Sequence, residues 1–493
     1  MFTHFLTLNQ LKILSQTLAQ GWSAVLQLAS IPIYFLLLGI ESYGLLGIFA
    51  AVESLIILID MTISSSVSRE IARKLVLSSR GVVKNFIIIV GKYYFGIVFF
   101  SLIFFYLIVY LLLAHTLYES STSNTIYNLS AVVTLTILLR LSISFSKSIL
   151  IGDQKQISLS VISSIFITLR IIGSFLLLYF VTNDITHFLM WHLVIFVFEF
   201  ITLIIFIHNA FGNRINVISS DFKVIGDILS FAPNMFFIAF TSLIITQSDR
   251  ILISLNYNLN VLGEYNYSKN FVLGMFIISG GIFAYLYPTL SSLFVNKKWS
   301  KIKLNCEIIC SVVTWLIFPA GIALIFLGNN FFDYFISNNS NINNYNNNNV
   351  LEILVIGTIV NLLWMVPYSV QLASGNTIIP LMVNLIFVPI TIIFTWIGFD
   401  YFNTLSAPII YLLYNICMLI FGIILIDRYI SQINFIRVFL SSMYIPFMFG
   451  VSLFIIYFYK IANLPISFQI VIILISLIFV LVIAFRKLKM LES

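Results

Sequence analysis

The sequence predicts an all-α polytopic membrane protein of about fourteen transmembrane helices, in two six-span halves followed by a C-terminal pair. Three observations predict it: an apolar composition, a row of apolar windows long enough to cross a bilayer, and a one-sided placement of lysine and arginine. Of the 493 residues, 60% are hydrophobic and only 9% charged, where a soluble domain carries about 25% charged and 45–50% apolar residues. Mean hydropathy is +1.07. Such a chain is excluded as a cytosolic enzyme, a secreted disulfide scaffold or a nucleic-acid-binding domain. The formal charge of +7 belongs to loops at a membrane surface, not to a nucleic-acid partner.

A hydrocarbon core about 30 Å thick needs roughly 20 mostly apolar residues per helix. By that ruler the first half holds spans at 15–39, 43–66, 86–114, 127–150, 157–181 and 186–208. The second half holds 230–254, 262–292, 305–328, 350–374, 377–398 and 404–426, and a final pair lies at 438–459 and 465–485. The corresponding divisions are 1–227, 228–437 and 438–493, the last an extra hairpin with a basic tail. The N-terminal stretch lacks a basic segment followed by an apolar core and a small-residue cleavage site, so no cleaved signal peptide is expected.

Orientation follows from the gaps. With the N-terminus inside, the N-terminal stretch, cytoplasmic gaps and tail hold nineteen of the 25 basic residues, including Lys12 before the first span and Arg69, Arg73, Lys74, Arg80 and Lys84 after the second. The outer gaps hold only Lys460, beside acids such as Glu41, Glu119, Asp184, Asp333 and Asp400. The positive-inside rule then places both termini in the cytoplasm, and the Asn-, Ile- and Phe-rich composition points to a bacterial source, so the expected location is the cytoplasmic (inner) membrane. An Asn-rich stretch, Asn338 to Asn349, reads as an outer loop that cannot bury apolar area.

No cofactor or metal site is expected. Cys306, Cys310 and Cys417 form no ligand cluster and read as packing positions. The five histidines are scattered, with only a weak association of His192 with Glu199. There is no phosphate-binding GxxxxGK[ST] loop and no inserted soluble domain, which argues against a nucleotide-driven pump, and no catalytic constellation emerges.

The two halves resemble each other where each second span opens. Tyr43-Gly44 opens one and Gly263-Glu264-Tyr265 the other, with Gly44 and Gly263 219 residues apart. Six spans per half make this a parallel repeat about an axis normal to the membrane.

Tyr43-Gly44-Leu45, then Ile59-Asp60, then Ser68-Arg69-Glu70-Ile71-Ala72-Arg73 resemble the first hairpin of polysaccharide (O-antigen-type) flippases. Asp249-Arg250, Leu262-Gly263-Glu264-Tyr265 and Pro288 extend the resemblance into the second half. These families belong to the multidrug/oligosaccharidyl-lipid/polysaccharide exporter superfamily. Two departures stand out: Met61 follows Asp60 where the family often has glycine, and fourteen spans exceed the twelve usual for O-antigen flippases, though lipid II flippases have fourteen. The resemblance implies two six-helix bundles around a central cavity that opens alternately to each side. It also implies a cargo of isoprenoid pyrophosphate carrying sugars, moved to the outer leaflet. Membrane lipids and other polysaccharide-assembly proteins would be its partners, and nucleic acid would not.

Ionisable residues inside spans supply an independent argument, because each costs on the order of 2.5–3.5 kcal/mol at a helix centre and so faces a bundle interior or a wet cavity. Glu53, Asp60, Lys92, Arg140, Arg170, Glu199, Asp249, Arg250 and Lys269 qualify, with Lys92 near enough to a span end to snorkel. Arg140 and Arg170 each lie fifteen residues from the turn near 155, roughly 22 Å along their helices. Glu53 and Glu199 reach a similar depth. The four form either a structural ion-pair network or a binding ring in which Arg140 and Arg170 grip phosphate by forked hydrogen bonds. Lys147, seven residues from Arg140, continues a basic stripe towards the cytoplasm or anchors its span there. Glu53 and Asp60 are equally spaced and offer carboxylates for coupling to protons or Na⁺, or for pairing with that stripe. Asp249 and Lys269 are expected to form a structural ion pair, with Arg250 turned to the substrate or the outer headgroups.

The leading expectation is a lipid-linked oligosaccharide flippase working by alternating access. A cation-coupled multidrug or small-molecule exporter of the same superfamily is the alternative; it would favour an acidic cavity with fewer membrane arginines. A membrane glycosyltransferase or polymerase would need glycan-elongating activity and a larger extramembrane loop.

Overall fold

A computed structural model describes residues 8–77, 80–116, 123–211, 233–276, 286, 289–291, 293–294, 296–338, 349–374, 378–429 and 434–459. The described chain is all-α. It divides into two compact units, Met1–Asn266 and Tyr267–Ser493.

The first unit contains α1 (Leu8–Leu38), α2 (Ile40–Leu77), α3 (Arg80–Thr116), α4 (Ser123–Gly152), α5 (Gln156–Phe180), α6 (Ile185–Phe211), α7 (Pro233–Asn256) and the start of α8 (Leu259–Leu273). Gly39 alone separates α1 from α2. Its φ of +80° is open to glycine without the steric cost other residues meet there. The α1–α2 turn therefore falls at Gly39, ahead of the expected Tyr43-Gly44, and Gly44 stands inside α2.

Gly44 and Gly263 are nonetheless equivalent, each four residues beyond the first residue of its helix. They also meet. A Cβ on Gly44 would strike the Leu259 carbonyl, and a Cβ on Gly263 would strike the Ile40 carbonyl. Residue 40 precedes Gly44 by the same four positions that separate 259 from Gly263, so the contact is reciprocal. Gly47, one turn on, lies under the Asn266 side chain, whose Nδ2 donates to the Gly44 carbonyl at 3.3 Å. In lipid, close approach of small residues is a main source of helix association.

α4, α5 and α6 pack through Ile143, Leu150, Ile162, Phe196 and Leu203, flanked by Leu139, Leu159, Phe166, Phe200 and Ile207. The seven-residue spacings 143/150 and 196/203 put these side chains on single helix faces. Asp184 starts α6, accepting a hydrogen bond from the Thr186 N–H at 3.1 Å and another from the Thr186 hydroxyl. Partial burial pushes the Asp184 carboxyl up, but these bonds and nearby His187 outweigh it and hold the group below the usual aspartate range.

The second unit contains the rest of α8, α9 (Trp299–Asn338), α10 (Val350–Ala373), α11 (Ile378–Phe402), a 3₁₀ turn at Asn403–Leu405, α12 (Ser406–Tyr429) and α13 (Phe435–Tyr459). Asn415 and Tyr414 are buried and bonded between helices. Asn361 Nδ2 donates to Asn415 Oδ1 at 2.6 Å, and the Tyr414 hydroxyl donates to Asn384 Oδ1 at 3.3 Å. Cys306 and Cys310 are buried and unbridged.

The expected fold class needs correction. Eight segments among the described residues are long and apolar enough to cross a membrane, against the expected fourteen spans in two six-helix bundles with an extra pair. Part of the difference is physical. α8 covers fifteen residues at the start of the expected span 262–292, short of the roughly 20 residues a crossing takes, and most of 277–292 lies outside the described residues. The spans expected at 377–398 and 404–426 are the separate helices α11 and α12, joined by the 3₁₀ turn at Asn403–Leu405 and counted together in one apolar segment, Leu381–Tyr429. The segments 43–66, 86–114 and 233–254 are helical within α2, α3 and α7 but are not among the eight, and 230–232 lie outside the described residues. The span at 465–485, the basic tail, Lys460 and Pro288 lie outside the described residues.

Packing at the α2–α8 crossing predicts a contrast between two glycines. Gly47→Ala should lower stability by about 1–3 kcal/mol, the usual effect of overpacking. Gly21→Ala, with nothing within 4 Å of its Cβ, should be neutral or stabilising by about 0.5–1 kcal/mol. Thermal unfolding of the detergent-purified protein measures both; equal behaviour would contradict the close contact.

Candidate cation cluster on α4, α5 and α6

The first unit gathers charge around the inner face of α6. Arg140 on α4 forms an ion pair with Glu53 on α2. One turn-pair further along α4, Lys147 Nζ lies 2.8 Å from Glu199 Oε1 on α6, and that carboxylate is only 4% exposed. Both acids thus take a cation from the same stripe of α4. The stripe itself is steadied from α3, where the Tyr94 hydroxyl donates to the Leu141 carbonyl at 3.0 Å and the Tyr94 ring stacks on Phe145 at 4.6 Å.

Arg170 on α5 has no carboxylate within ion-pair distance among the described residues. Its guanidinium stands over the Phe196 ring, 4.7 Å from the centroid, and Arg140 approaches the same ring at 5.5 Å. Both distances lie within the reach of cation–π attraction, worth about 0.5–2 kcal/mol. One buried phenylalanine therefore holds two guanidinium groups close to each other. The five charges comprise three cations and two carboxylates, leaving the cluster positive by one. The Arg140 side chain is 41% exposed, so the pair with Glu53 does not seal it off.

Around Phe196 runs a polar-aromatic column. Tyr34 on α1 lies 2.5 Å from Ser174 Oγ on α5, and its hydroxyl donates to the Ile171 carbonyl at 3.3 Å. Its ring meets Phe188 edge-on at 5.0 Å; Phe188 contacts His192 at 4.3 Å, and His192 faces Phe196 at 6.4 Å. His192 Nε2 is buried without a hydrogen-bond partner among the described residues, an arrangement that costs about 1–3 kcal/mol. The sequence reading passed over Phe196, Tyr34 and Ser174 and gave His192 little weight. The signal was present: 188, 192, 196 and 199 fall on one helical face.

Of the remaining expected residues, Asp60 has a side chain outside the described set. Asp249 on α7 is buried; it accepts from the Tyr265 hydroxyl and from the Arg250 backbone N–H at 2.7 Å. Arg250 is 3% exposed, and its Nη1 donates to Gln247 Oε1 at 3.3 Å. Lys269, expected opposite Asp249, stands on the part of α8 that belongs to the second unit. Among the described residues, no group of three or more His, Cys, Asp or Glu side chains could hold a metal ion.

This fold is that of known membrane transporters. An inward-facing multidrug resistance MATE family transporter of the MOP superfamily aligns with a TM-score of 0.69 at 13% identity, covering 84% of this chain and 98% of its own. The lipid II flippase MurJ in an inward closed conformation aligns at 0.66 and 18% identity, covering 97% and 100%. A MATE transporter in complex with MaL6 aligns at 0.55 and 13% identity, over 85% and 96%. No curated protein matches in sequence. The family model for polysaccharide biosynthesis protein matches residues 11–294, more than half of the chain. The chain belongs to that polysaccharide biosynthesis family.

The tie between Lys147 and Glu199 can be tested by stability. Glu199→Ala strands Lys147 and should destabilise the protein by about 3 kcal/mol, the low end for breaking a buried pair because Lys147 is partly exposed. Replacing both, as Lys147→Met with Glu199→Leu, should recover most of that loss. Thermal unfolding in detergent reads the cycle; a double variant no better than the single one would deny that the pair is structural.

Proposed function

We propose that the chain is a non-catalytic transporter that moves a lipid-linked oligosaccharide, an isoprenoid pyrophosphate glycan, from the cytoplasmic to the outer leaflet by alternating access. The observation that carries the reading is Arg170: a guanidinium on an apolar helix, with no carboxylate at ion-pair distance among the described residues, beside a second arginine on one aromatic ring. Cations so placed repel each other unless an anion sits between them, and a pyrophosphate offers several oxygens to forked donors. Membership of the polysaccharide biosynthesis family supports a glycan cargo.

In this mechanism the tail stays in the bilayer while the charged headgroup crosses within the protein. Arg170 supplies the uncompensated charge. Arg140 joins it by exchanging Glu53 for phosphate, so binding and release are a competition between two anions for one guanidinium. Lys147, one step along α4, draws the headgroup in while remaining tied to Glu199. Glu53, once displaced, is the carboxylate available for a coupling ion, with Asp60 seven residues further on the same helix.

The alternative is a cation-coupled multidrug exporter, and the structural likenesses favour it more broadly. Most of the matching solved structures reported are MATE transporters, and one of them has the higher TM-score. Those likenesses, at 13–18% identity, concern the fold. The sign of the cluster favours an anionic cargo, since a cationic drug would meet an excess positive charge.

Arg170→Ala should cut glycan on the cell surface at least tenfold, and its lipid-linked precursor should accumulate on the cytoplasmic face. A charge-assisted hydrogen bond worth about 1.5–3 kcal/mol sets that scale. Membrane insertion should be unchanged. Full export by both Arg170→Ala and Arg140→Ala, together with heightened sensitivity of the deletion strain to cationic dyes, would transfer the assignment to drug export.

A further inference from the structure

His192 is the one titratable side chain on the Phe196 face of α6 to which the transport mechanism above gives no task. Its Nε2 is buried and has no hydrogen-bond partner among the described residues. The ring is held rather than loose: it packs on Phe188 at 4.3 Å and meets Phe196 at 81° and 6.4 Å. Phe196 is the same ring that carries Arg140 and Arg170. A fixed nitrogen, kept from water and lacking a partner, beside two arginines that converge on one point, is suited to a group arriving from outside the chain.

We infer that His192 is a third ligand for the anion, donating from Nε2 to a phosphate oxygen between Arg140 and Arg170. The inference rests on the anionic cargo proposed above and adds a residue and a proton to it. The imidazole binds the anion best in its protonated form, when both ring nitrogens are donors. A protonated imidazole stands beside two like charges, and a bound pyrophosphate neutralises them. Anion and proton therefore strengthen each other's binding by the same factor, as linkage requires.

The groups around His192 are few. Arg140 projects from α4, Arg170 from α5 and Tyr34 from α1; Glu199, paired with Lys147, lies two turns along α6 itself. Glu53 on α2 is linked through Arg140, and Asp184 and His187 lie at the start of α6. Of these, His187 is the other group whose ordinary titration falls between pH 5 and 8.

The full-length protein in detergent tests this with UDP-glucose, a soluble pyrophosphate diester whose charge stays constant from pH 6 to 8. His192→Phe keeps the ring and its stacking but removes the nitrogen, and His192→Gln keeps a donor without the titration. For the wild type, Kd should rise at least fivefold between pH 6 and 8. His192→Phe should bind about tenfold more weakly at pH 6 with little pH dependence. His192→Gln should fall between them, also flat, and His187→Ala should keep the wild-type slope.

Arg170→Ala should bind poorly at both pH values. If Arg170→Ala loses binding while His192→Phe keeps wild-type affinity and slope, the inference fails and the anionic cargo stands. A slope lost in His187→Ala and kept in His192→Phe also overturns it. If Arg170→Ala binds like the wild type, or the wild type binds at neither pH, the cargo assignment falls and the role of His192 falls with it.

Discussion

Matching of charge in a medium that does not solvate it governs the first unit. Each ionisable group on an apolar helix must find an opposite charge, a polar neighbour or an aromatic face. Arg140 finds Glu53, Lys147 finds Glu199, Asp249 finds Tyr265 and Arg250 finds Gln247. Arg170 finds a phenylalanine ring. The orientation of α4, α5 and α6 about their axes follows from these matches as much as from the Ile143, Leu150 and Leu203 packing beneath them. With one guanidinium left to an aromatic face, the structure keeps a charge in reserve at the place where the functional reading needs one.

Much of this was legible in the sequence because depth along a helix is a matter of counting. Fifteen residues either side of a turn near 155 put Arg140 and Arg170 level, and both now stand over the same ring. The seven-residue step from Arg140 to Lys147 sets the two on one face of α4. Which carboxylate each would take was not legible, since partner choice depends on how far each helix is rotated about its own axis. Phe196 was invisible for another reason: in a chain with 48 phenylalanines, nothing in the sequence singles out one that carries two cations.

The fold was legible at the level of helices and less so at the level of crossings. A hydropathy ruler sees an apolar run but not where the chain turns, so Gly39 was missed in favour of Tyr43-Gly44. The run LNVLGEYNYSKNFVL forms a helix of fifteen residues, and most of the apolar stretch that the expected span over 262–292 adds to it lies outside the described residues. In the second unit, Asn415 and Tyr414 on α12 are bonded to amides of neighbouring helices. They are buried glue between helices, a role amides fill well in lipid because an unbonded one is costly there.

The glycine crossing has a consequence for how freely this chain can drift. At Gly44 and Gly263 the obstacle to any side chain is a backbone carbonyl, which no neighbouring substitution can remove. At Gly47 the obstacle is the Asn266 amide, and a smaller residue at 266 would make room. Two of the three small positions are therefore fixed by main-chain geometry, while the third is free to vary in concert with its neighbour. Comparison across descendants of this gene would find invariance at the first two and correlated change at 47 and 266.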